Sequence, residues 1–288
     1  MIEWLTEPIS HGTTLRALIE IALLGAVGGA VGCWIVLYEI SYSAESLAHG
    51  LFPGLVGAAL LGLPILLGGA AGIVVAALLI TVAGRIATDT ADTAIAVVVT
   101  SLFGLGVLLA LSPQSPPGIQ TLLFGDLLGT ADSDLAIAAG VAVGVIGLLW
   151  LFHDRLLAIG FDGSFGRTLG ISPGLVTAML LCLVAVTILV SVQGLGNLLV
   201  AAVLVGPAAA ARLLTTRFAD MAGLSVGIAV ISGVAGVYLS FYAKTAAGAS
   251  IVACLVVAYL ACAGLAYLRR RPSKAPGRRA ASMATLNQ

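Results

Sequence analysis

The chain has 288 residues, of which 60% are apolar and only 9% charged, and its thirteen basic and thirteen acidic residues give a formal net charge of zero. Its mean hydropathy is +1.15. A soluble domain carries about a quarter charged residues, so this composition cannot cover a surface that faces water, and it excludes a soluble globular protein. It predicts an all-α fold, a polytopic bundle of transmembrane helices in the plasma (inner) membrane.

Nine apolar segments are long enough to cross a membrane, since a helix needs about 20 apolar residues to span the hydrocarbon core. Counts of eight or ten are also compatible, because some segments meet at tight Gly/Pro turns. The predicted domains are an extracytoplasmic segment over 1–14, a transmembrane domain over 15–268 and a disordered tail over 269–288. The nine segments cover residues 15–38, 44–62, 65–84, 93–111, 134–152, 174–193, 195–214, 220–243 and 246–268.

Basic residues concentrate in the tail, and we interpret it as a cytoplasmic anchor rather than a nucleic-acid-binding segment. With nine spans, a cytoplasmic tail places the N-terminus outside. The tail's side of the membrane then also holds Arg85, Arg155, Arg167, Arg212 and Arg217, in agreement with the positive-inside rule. The basic residues of the tail are Arg269, Arg270, Arg271, Lys274, Arg278 and Arg279.

Two connections between the spans carry sequence signals of their own. The connection over 112–134 begins PQSPPG and continues with an apolar part too short to span, which favours a re-entrant or surface helix. The connection over 153–173 places Phe161, Phe165 and Leu169 at i, i+4 and i+8, which predicts one apolar stripe on a short amphipathic helix. That stripe fits equally well packed on the chain's own helix ends or presented to a cytoplasmic partner.

Glu45 and His49 are the strongest candidates for chemistry. They lie four residues apart and therefore project from one face of a helix. Ionisable residues at membrane depth are costly and tend to be functional, and a carboxylate with an imidazole suits Mn²⁺, Zn²⁺ or Fe²⁺. The alternative is a local Glu–His hydrogen bond with no further role.

Gly50, Pro53 and Gly54 follow this pair directly and predict a break in the helix. Transporters tend to place ligand sites at broken helices, so the break would lie near a transport path.

The remaining polar residues show no catalytic constellation. Arg16 and Glu20 read as a structural i, i+4 pair, and Gln193 and Asn197 flank a glycine turn where they would satisfy backbone groups. The Walker A sequence for binding nucleotide phosphates is missing from the chain. We therefore predict a transport subunit and not an enzyme, so that ATP hydrolysis, if it drives transport, resides in a separate protein.

Four stretches in a fixed order resemble the permease family of manganese/zinc/iron-type ABC importers. They are SYSAESLAHGLFPG (41–54), LLFGDLLGTADSDL (122–135), GFDGSFGRTLGIS (160–172) and LLVAAVLVGPAAAARLLTTR (198–217). The resemblance covers roughly residues 15–268.

The resemblance implies the cargo and the partners. The cargo would be a transported divalent metal (Mn, Zn or Fe), with no permanently bound cofactor. The partners would be a second permease copy, most simply in a homodimer, two cytoplasmic ABC ATPase subunits, an extracytoplasmic metal-binding protein and membrane lipid. A siderophore- or cobalamin-type permease and a stand-alone secondary metal transporter are the alternative functions.

The resemblance also implies roles for individual residues. The family's Asp and His, four apart and taken as metal ligands in the translocation path, fall on Glu45 and His49. The family docks its ATPase through the second connection, and the matching positions are Phe161, Asp162, Phe165, Gly166, Leu169, Gly170 and Ile171.

Two positions depart from the family pattern. Glu45 replaces the usual Asp and extends the carboxylate by one methylene. Lys244 stands in Ser-Phe-Tyr-Ala-Lys-Thr-Ala-Ala-Gly-Ala (240–249), where the family commonly has S-Y-Y-x-D-x-P-S-G-A. An acid is thus replaced by a base on the predicted outer side.

Overall fold

A computed structural model describes residues 7–9, 11–86, 91–116, 118–119, 121–168, 170 and 172–270. The predicted tail lies outside the described residues from 271 onwards. Residues 1–6 and 10 of the predicted N-terminal segment also lie outside them.

The described chain folds into nine long helices, three short ones and a 3-10 turn at Leu127–Gly129. The helices are α1 (Gly12–Leu37), α2 (Ser41–Leu61), α3 (Ile65–Ile86), α4 (Ala91–Ala110), α5 (Thr121–Phe124), α6 (Asp132–Leu151), α7 (His153–Phe161), α8 (Gly163–Thr168), α9 (Pro173–Leu195), α10 (Asn197–Leu214), α11 (Phe218–Ala243) and α12 (Ala247–Arg270). The nine long ones are apolar enough to cross a membrane, which confirms the predicted all-α bundle and the count of nine. No predicted boundary is wrong by more than three residues.

Glycine and proline set the ends of several long helices. Gly62 ends α2 in the left-handed conformation (φ +67°), which costs glycine nothing, and Pro64 follows it. Pro173 begins α9, at a position where a backbone N–H would have no acceptor within the helix, so that the lack of an N–H costs no hydrogen bond. Gly62 and Pro64 thus form a short reversal, so that α2 and α3 pack as antiparallel neighbours.

The first two helices form the centre of the bundle. α1 packs along α10 and α11, and α2 packs along α3 and α4. Small residues allow the close approach: the Ser225 hydroxyl donates a hydrogen bond of 2.8 Å across the interface to the Gly29 carbonyl. α3, α4 and α12 are mostly exposed and apolar, as expected for helices that face lipid or another subunit.

The two ends of the bundle differ in charge. One end, here called the acidic end, holds the start of α1, the connection between α4 and α6, and Asp126, Asp132 and Asp134. The opposite end, here called the arginine-rich end, holds the end of α1 together with α7 and α8. It carries Arg155, Arg167, Arg212 and Arg217.

The predicted helix break at Gly50, Pro53 and Gly54 is wrong. α2 runs without interruption from Ser41 to Leu61 with Pro53 inside it. The glycines serve close packing instead: a methyl group on Gly54 would collide with the Gly68 carbonyl oxygen on α3. A proline inside a transmembrane helix is tolerated because neighbouring helices, polar side chains and local adjustments of the helix satisfy the backbone groups that it frees.

The two connections with signals of their own are both irregular. Between α4 and α6 the described residues form only α5 and the 3-10 turn, so this segment does not span, as predicted. Between α6 and α9 the single amphipathic helix predicted for Phe161, Phe165 and Leu169 is wrong. Asp162 has an extended backbone (φ −153°, ψ 99°) that separates α7 from α8.

Candidate metal pair and coupling segment

α2 places Glu45 and His49 on one face, as predicted. The His49 Nε2 and Glu45 Oε1 atoms lie 3.7 Å apart, which is an ion-pair distance and too long for a hydrogen bond. The other imidazole nitrogen, Nδ1, is buried and has no hydrogen-bond partner among the described residues. Neither nitrogen of this imidazole is therefore committed to a local hydrogen bond.

One side of the pair is covered and the other is open. The His49 ring lies 4.9 Å from the Phe103 ring of α4, and Phe103 in turn lies 5.7 Å from Phe52. The side chains of His49 and Glu45 are 22% and 55% exposed. A carboxylate so exposed on a membrane-spanning helix needs water or another subunit beside it, because exposure to lipid is costly.

The spacing of the pair suits two ligands of one ion. Two ligand atoms at about 2.1 Å from a tetrahedral ion lie about 3.4 Å apart, close to the observed 3.7 Å. The pair does not complete a site by itself, since the described residues contain no group of three or more His, Cys, Asp and Glu side chains that could hold a metal. Pro53 has no N–H, so the His49 carbonyl lacks its helical donor and offers one further oxygen nearby.

The pair lies in the half of α2 that begins at the arginine-rich end. With a rise of 1.5 Å per residue, Glu45 lies about 6 Å and His49 about 12 Å from the start of α2. Along α2, an ion at this pair would therefore be closer to the arginine-rich end than to the acidic end.

The predicted coupling segment forms an exposed corner at the arginine-rich end. The Phe161 side chain is 67% exposed, and the Asp162 carboxylate accepts hydrogen bonds from the Ser164 N–H (2.8 Å) and hydroxyl (2.6 Å). Gly166 packs against Ile159 of α7, and Gly170 has a φ of +72°. The side chain of Phe165 and all of Leu169 and Ile171 lie outside the described residues.

α7 is fixed to the core next to the start of α2, a connection that the sequence does not reveal. Leu156 is fully buried, and its carbonyl oxygen accepts a hydrogen bond of 2.8 Å from the Tyr38 hydroxyl. Burial raises the pKa of Tyr38 to about 12, so the phenol stays protonated and continues to donate at neutral pH. The His153 ring lies beside Trp34 (5.5 Å) and Phe218 (5.9 Å).

At the acidic end, the polar contacts predicted from the sequence for Arg16, Glu20 and Asn197 are wrong. Arg16 pairs with Asp132, with Nε and Oδ1 2.7 Å apart, and not with Glu20. Glu20 is 3% exposed and is instead hydrogen-bonded to the Thr130 hydroxyl. Asn197 is fully buried, and its side-chain amide has no hydrogen-bond partner among the described residues, so it does not satisfy the backbone groups of the glycine turn.

The match to a family model covers nearly all of the chain. The model of the ABC 3 transport family matches residues 10–265. The chain belongs to the ABC 3 transport family. As a family member it is a multi-pass membrane subunit of an ABC transport system, and the ATPase of such a system is a separate subunit.

Individual relatives extend over the same length. The chain is 30% identical over 260 residues to the chelated iron transport system membrane protein YfeC of Yersinia pestis, covering 90% of this chain and 88% of that protein. It is 31% identical over 246 residues to the manganese transport system membrane protein MntC of Halalkalibacterium halodurans, with coverage of 85% and 84%. Among solved structures, PsaBC from Streptococcus pneumoniae in complex with Fab matches this ABC 3 member with a TM-score of 0.84, 29% identity and coverage of 91% and 95%.

Proposed function

We propose that this chain is the permease subunit of an ATP-driven importer for a divalent transition-metal ion, and that Glu45 and His49 contact the ion as it crosses the membrane. The observation that carries the proposal is an uncommitted imidazole 3.7 Å from a carboxylate on a central membrane-spanning helix. Relatives named for manganese and iron transport support a cation of this class.

A second permease copy completes the path in this proposal. Glu45 is half exposed on a single chain, and two ligands are too few for a transition-metal ion. Two copies related by a twofold axis would bring four side chains, two carboxylates and two imidazoles, around one ion. The same contact would shield both carboxylates from lipid.

We infer that the arginine-rich end faces the cytoplasm and that the acidic end faces outwards, because the cytoplasmic loops of membrane proteins carry an excess of lysine and arginine. An extracytoplasmic metal-binding protein would then deliver the ion at the acidic end. The ATPase would dock on Phe161, Asp162 and α8. Movement of this corner would reach the start of α2 through the Tyr38–Leu156 hydrogen bond, seven residues before Glu45.

A metal chelate is a second candidate cargo, because the Yersinia relative is named for chelated iron transport. A chelate path should be wide and poor in metal ligands, whereas a free-ion path needs the Glu45 and His49 side chains. Competition of uptake by free Mn²⁺ and Zn²⁺ separates the two. A stand-alone transporter is disfavoured by the family to which the chain belongs.

The test replaces each ligand in the assembled transporter. We expect Glu45→Gln and His49→Ala each to lower ATP-driven Mn²⁺ uptake into vesicles by roughly tenfold or more, since even outer ligands of metal sites matter that much. Membrane insertion should be unchanged. The matched control is Glu39→Gln, which neutralises an exposed acid just before α2 and should transport normally.

Equilibrium dialysis of the wild-type complex tests the shared site. We expect one Mn²⁺ per two permease chains. Uptake at the wild-type rate in both ligand variants would disprove the assignment of the pair, and one ion per chain would disprove the sharing between two copies.

A further inference from the structure

A polar pocket opens at the acidic end of the bundle, away from Glu45 and His49. Its volume is about 380 Å³, and its walls come from the start of α1, the 3-10 turn and the last turns of α11. This size falls at the small end of the range for small-molecule sites. Six of its lining residues are polar: His11, Thr13, Thr14, Ser240, Lys244 and Thr245.

The chemistry of the lining favours an anion over a cation. The six polar side chains comprise one ammonium, one imidazole and four hydroxyls, and no carboxylate belongs to the lining among the described residues. Ammonium groups only donate hydrogen bonds, and hydroxyl and imidazole groups can also donate. Among the hydroxyls, those of Thr13 and Thr14 are available to a ligand, because the other two use their single hydrogens within the turn after α11. A carboxylate ligand would accept these hydrogen bonds, and those from Lys244 would be charge-assisted.

Lys244 occupies a backbone conformation that its residue type does not favour. It ends α11 with φ 53° and ψ 41°, in the left-handed region where glycine or asparagine is normally found. Only Glu39 shares a positive φ among the described residues other than glycine. Such a conformation persists only where the surrounding structure holds it.

The surrounding turn holds this lysine in place and leaves its charge available. The Ser240 hydroxyl donates to the Thr245 carbonyl oxygen (2.6 Å), and the Thr245 and Ser250 hydroxyls lie 2.7 Å apart. Lys244 forms no ion pair with any described residue, whereas Arg16, also at the acidic end, is paired with Asp132. The pocket thus presents an unpaired ammonium on a fixed turn.

We propose that this pocket binds a small polycarboxylate anion, either free or as the chelator of a metal ion, through Lys244 and the hydroxyls of Thr13 and Thr14. The site goes beyond the proposed transport function, because binding requires neither Glu45 and His49 nor ATP.

Calorimetric titration of the purified full-length permease with citrate tests the proposal. We expect saturable binding to the wild type and to Lys244→Arg, and a loss of affinity of roughly tenfold or more in Lys244→Gly, as for one lost charge-assisted hydrogen bond. The triethyl ester of citrate, which has no carboxylate charge, should not bind. Parallel titrations with citrate alone and with Mn²⁺-citrate distinguish a free anion from a chelate.

Lys244→Gly also relieves the backbone cost, so its melting temperature without ligand should rise rather than fall. Glu39→Gly is the matched control, because it relieves the same backbone conformation at the opposite end and should bind citrate like the wild type. Equal citrate affinity in Lys244→Gly and wild type, or no binding of either citrate form to the wild type, would overturn the proposal. Metal uptake by the Glu45 and His49 variants tests only the proposed transport function and does not test the pocket beside Lys244.

Discussion

Glu20 is a carboxyl group buried inside a membrane-spanning helix, about 12 Å from the start of α1 by its position in the chain. The Thr130 hydroxyl contacts both the Glu20 carboxyl and the Leu127 carbonyl oxygen, the latter at 2.8 Å. A hydroxyl has only one hydrogen to donate. Either this hydrogen is shared between the two acceptors, or the Glu20 carboxyl carries a proton and donates to Thr130 while Thr130 donates to Leu127.

The arrangement with a protonated carboxyl, in which no hydrogen is shared, predicts different outcomes for two substitutions of Glu20. Glu20→Gln keeps a donor of similar shape and should change the free energy of unfolding by less than about 1 kcal/mol, whereas Glu20→Ala should cost about 1–3 kcal/mol by leaving buried polar groups unpaired. Denaturant unfolding of the purified protein in detergent measures both. A Gln variant as unstable as the Ala variant would mean that the carboxyl is ionised.

At the scale of helices, α2 and α3 approach closely because glycines face each other. A Cβ on Gly54 would lie 2.8 Å from the Gly72 backbone and would also meet the Gly68 carbonyl oxygen. Backbone atoms cannot move aside as the end of a flexible side chain can, so the helices must separate. Since α2 also carries Glu45 and His49, this contact helps to set the position of the metal pair.

We expect Gly54→Ala to destabilise the protein by about 1–3 kcal/mol, the usual cost of overpacking. The control is Gly57→Ala on the same helix, where an added Cβ meets nothing within 4 Å. That variant should be neutral or stabilising by up to about 1 kcal/mol, because alanine favours helix more than glycine does. The test compares the melting temperatures of the two variants in detergent, and an equal effect of both substitutions would rule out the packing explanation.

At the scale of the whole molecule, the exposed corner at Phe161 is where we expect the ATPase to dock. Phe161→Asp should reduce the ATPase that co-purifies with the permease by roughly tenfold or more, as for loss of an aromatic interface anchor. Its 67% exposure means that the folded permease itself should tolerate the change.

Leu63→Asp provides the control for the docking experiment. Leu63 is 55% exposed in the connection between α2 and α3, at the acidic end, so this variant should retain the ATPase. Normal ATPase recovery with Phe161→Asp would remove Phe161 from the docking surface.

The sequence alone determined the helical bundle, its nine spans and the Glu45–His49 pair. Hydropathy predicts a membrane-spanning helix because about 20 apolar residues are needed to cross the hydrocarbon core. An i, i+4 spacing predicts that two side chains share one face of a helix. The sequence did not reveal that α2 is continuous. Gly50, Pro53 and Gly54 weaken an isolated helix, and only the contact with α3 shows that the glycines permit close packing.

Only the tertiary structure decided which distant residues meet. Arg16 pairs with Asp132 rather than with Glu20, Tyr38 bonds to Leu156, and the pocket beside Lys244 joins the start of α1 to the end of α11. Such partners lie far apart along the chain, and their contact depends on how helices pack and not on local periodicity. Charge and spacing could therefore identify the candidate metal pair, whereas the pocket proposed to bind an anion forms only where the helix ends meet in the folded protein.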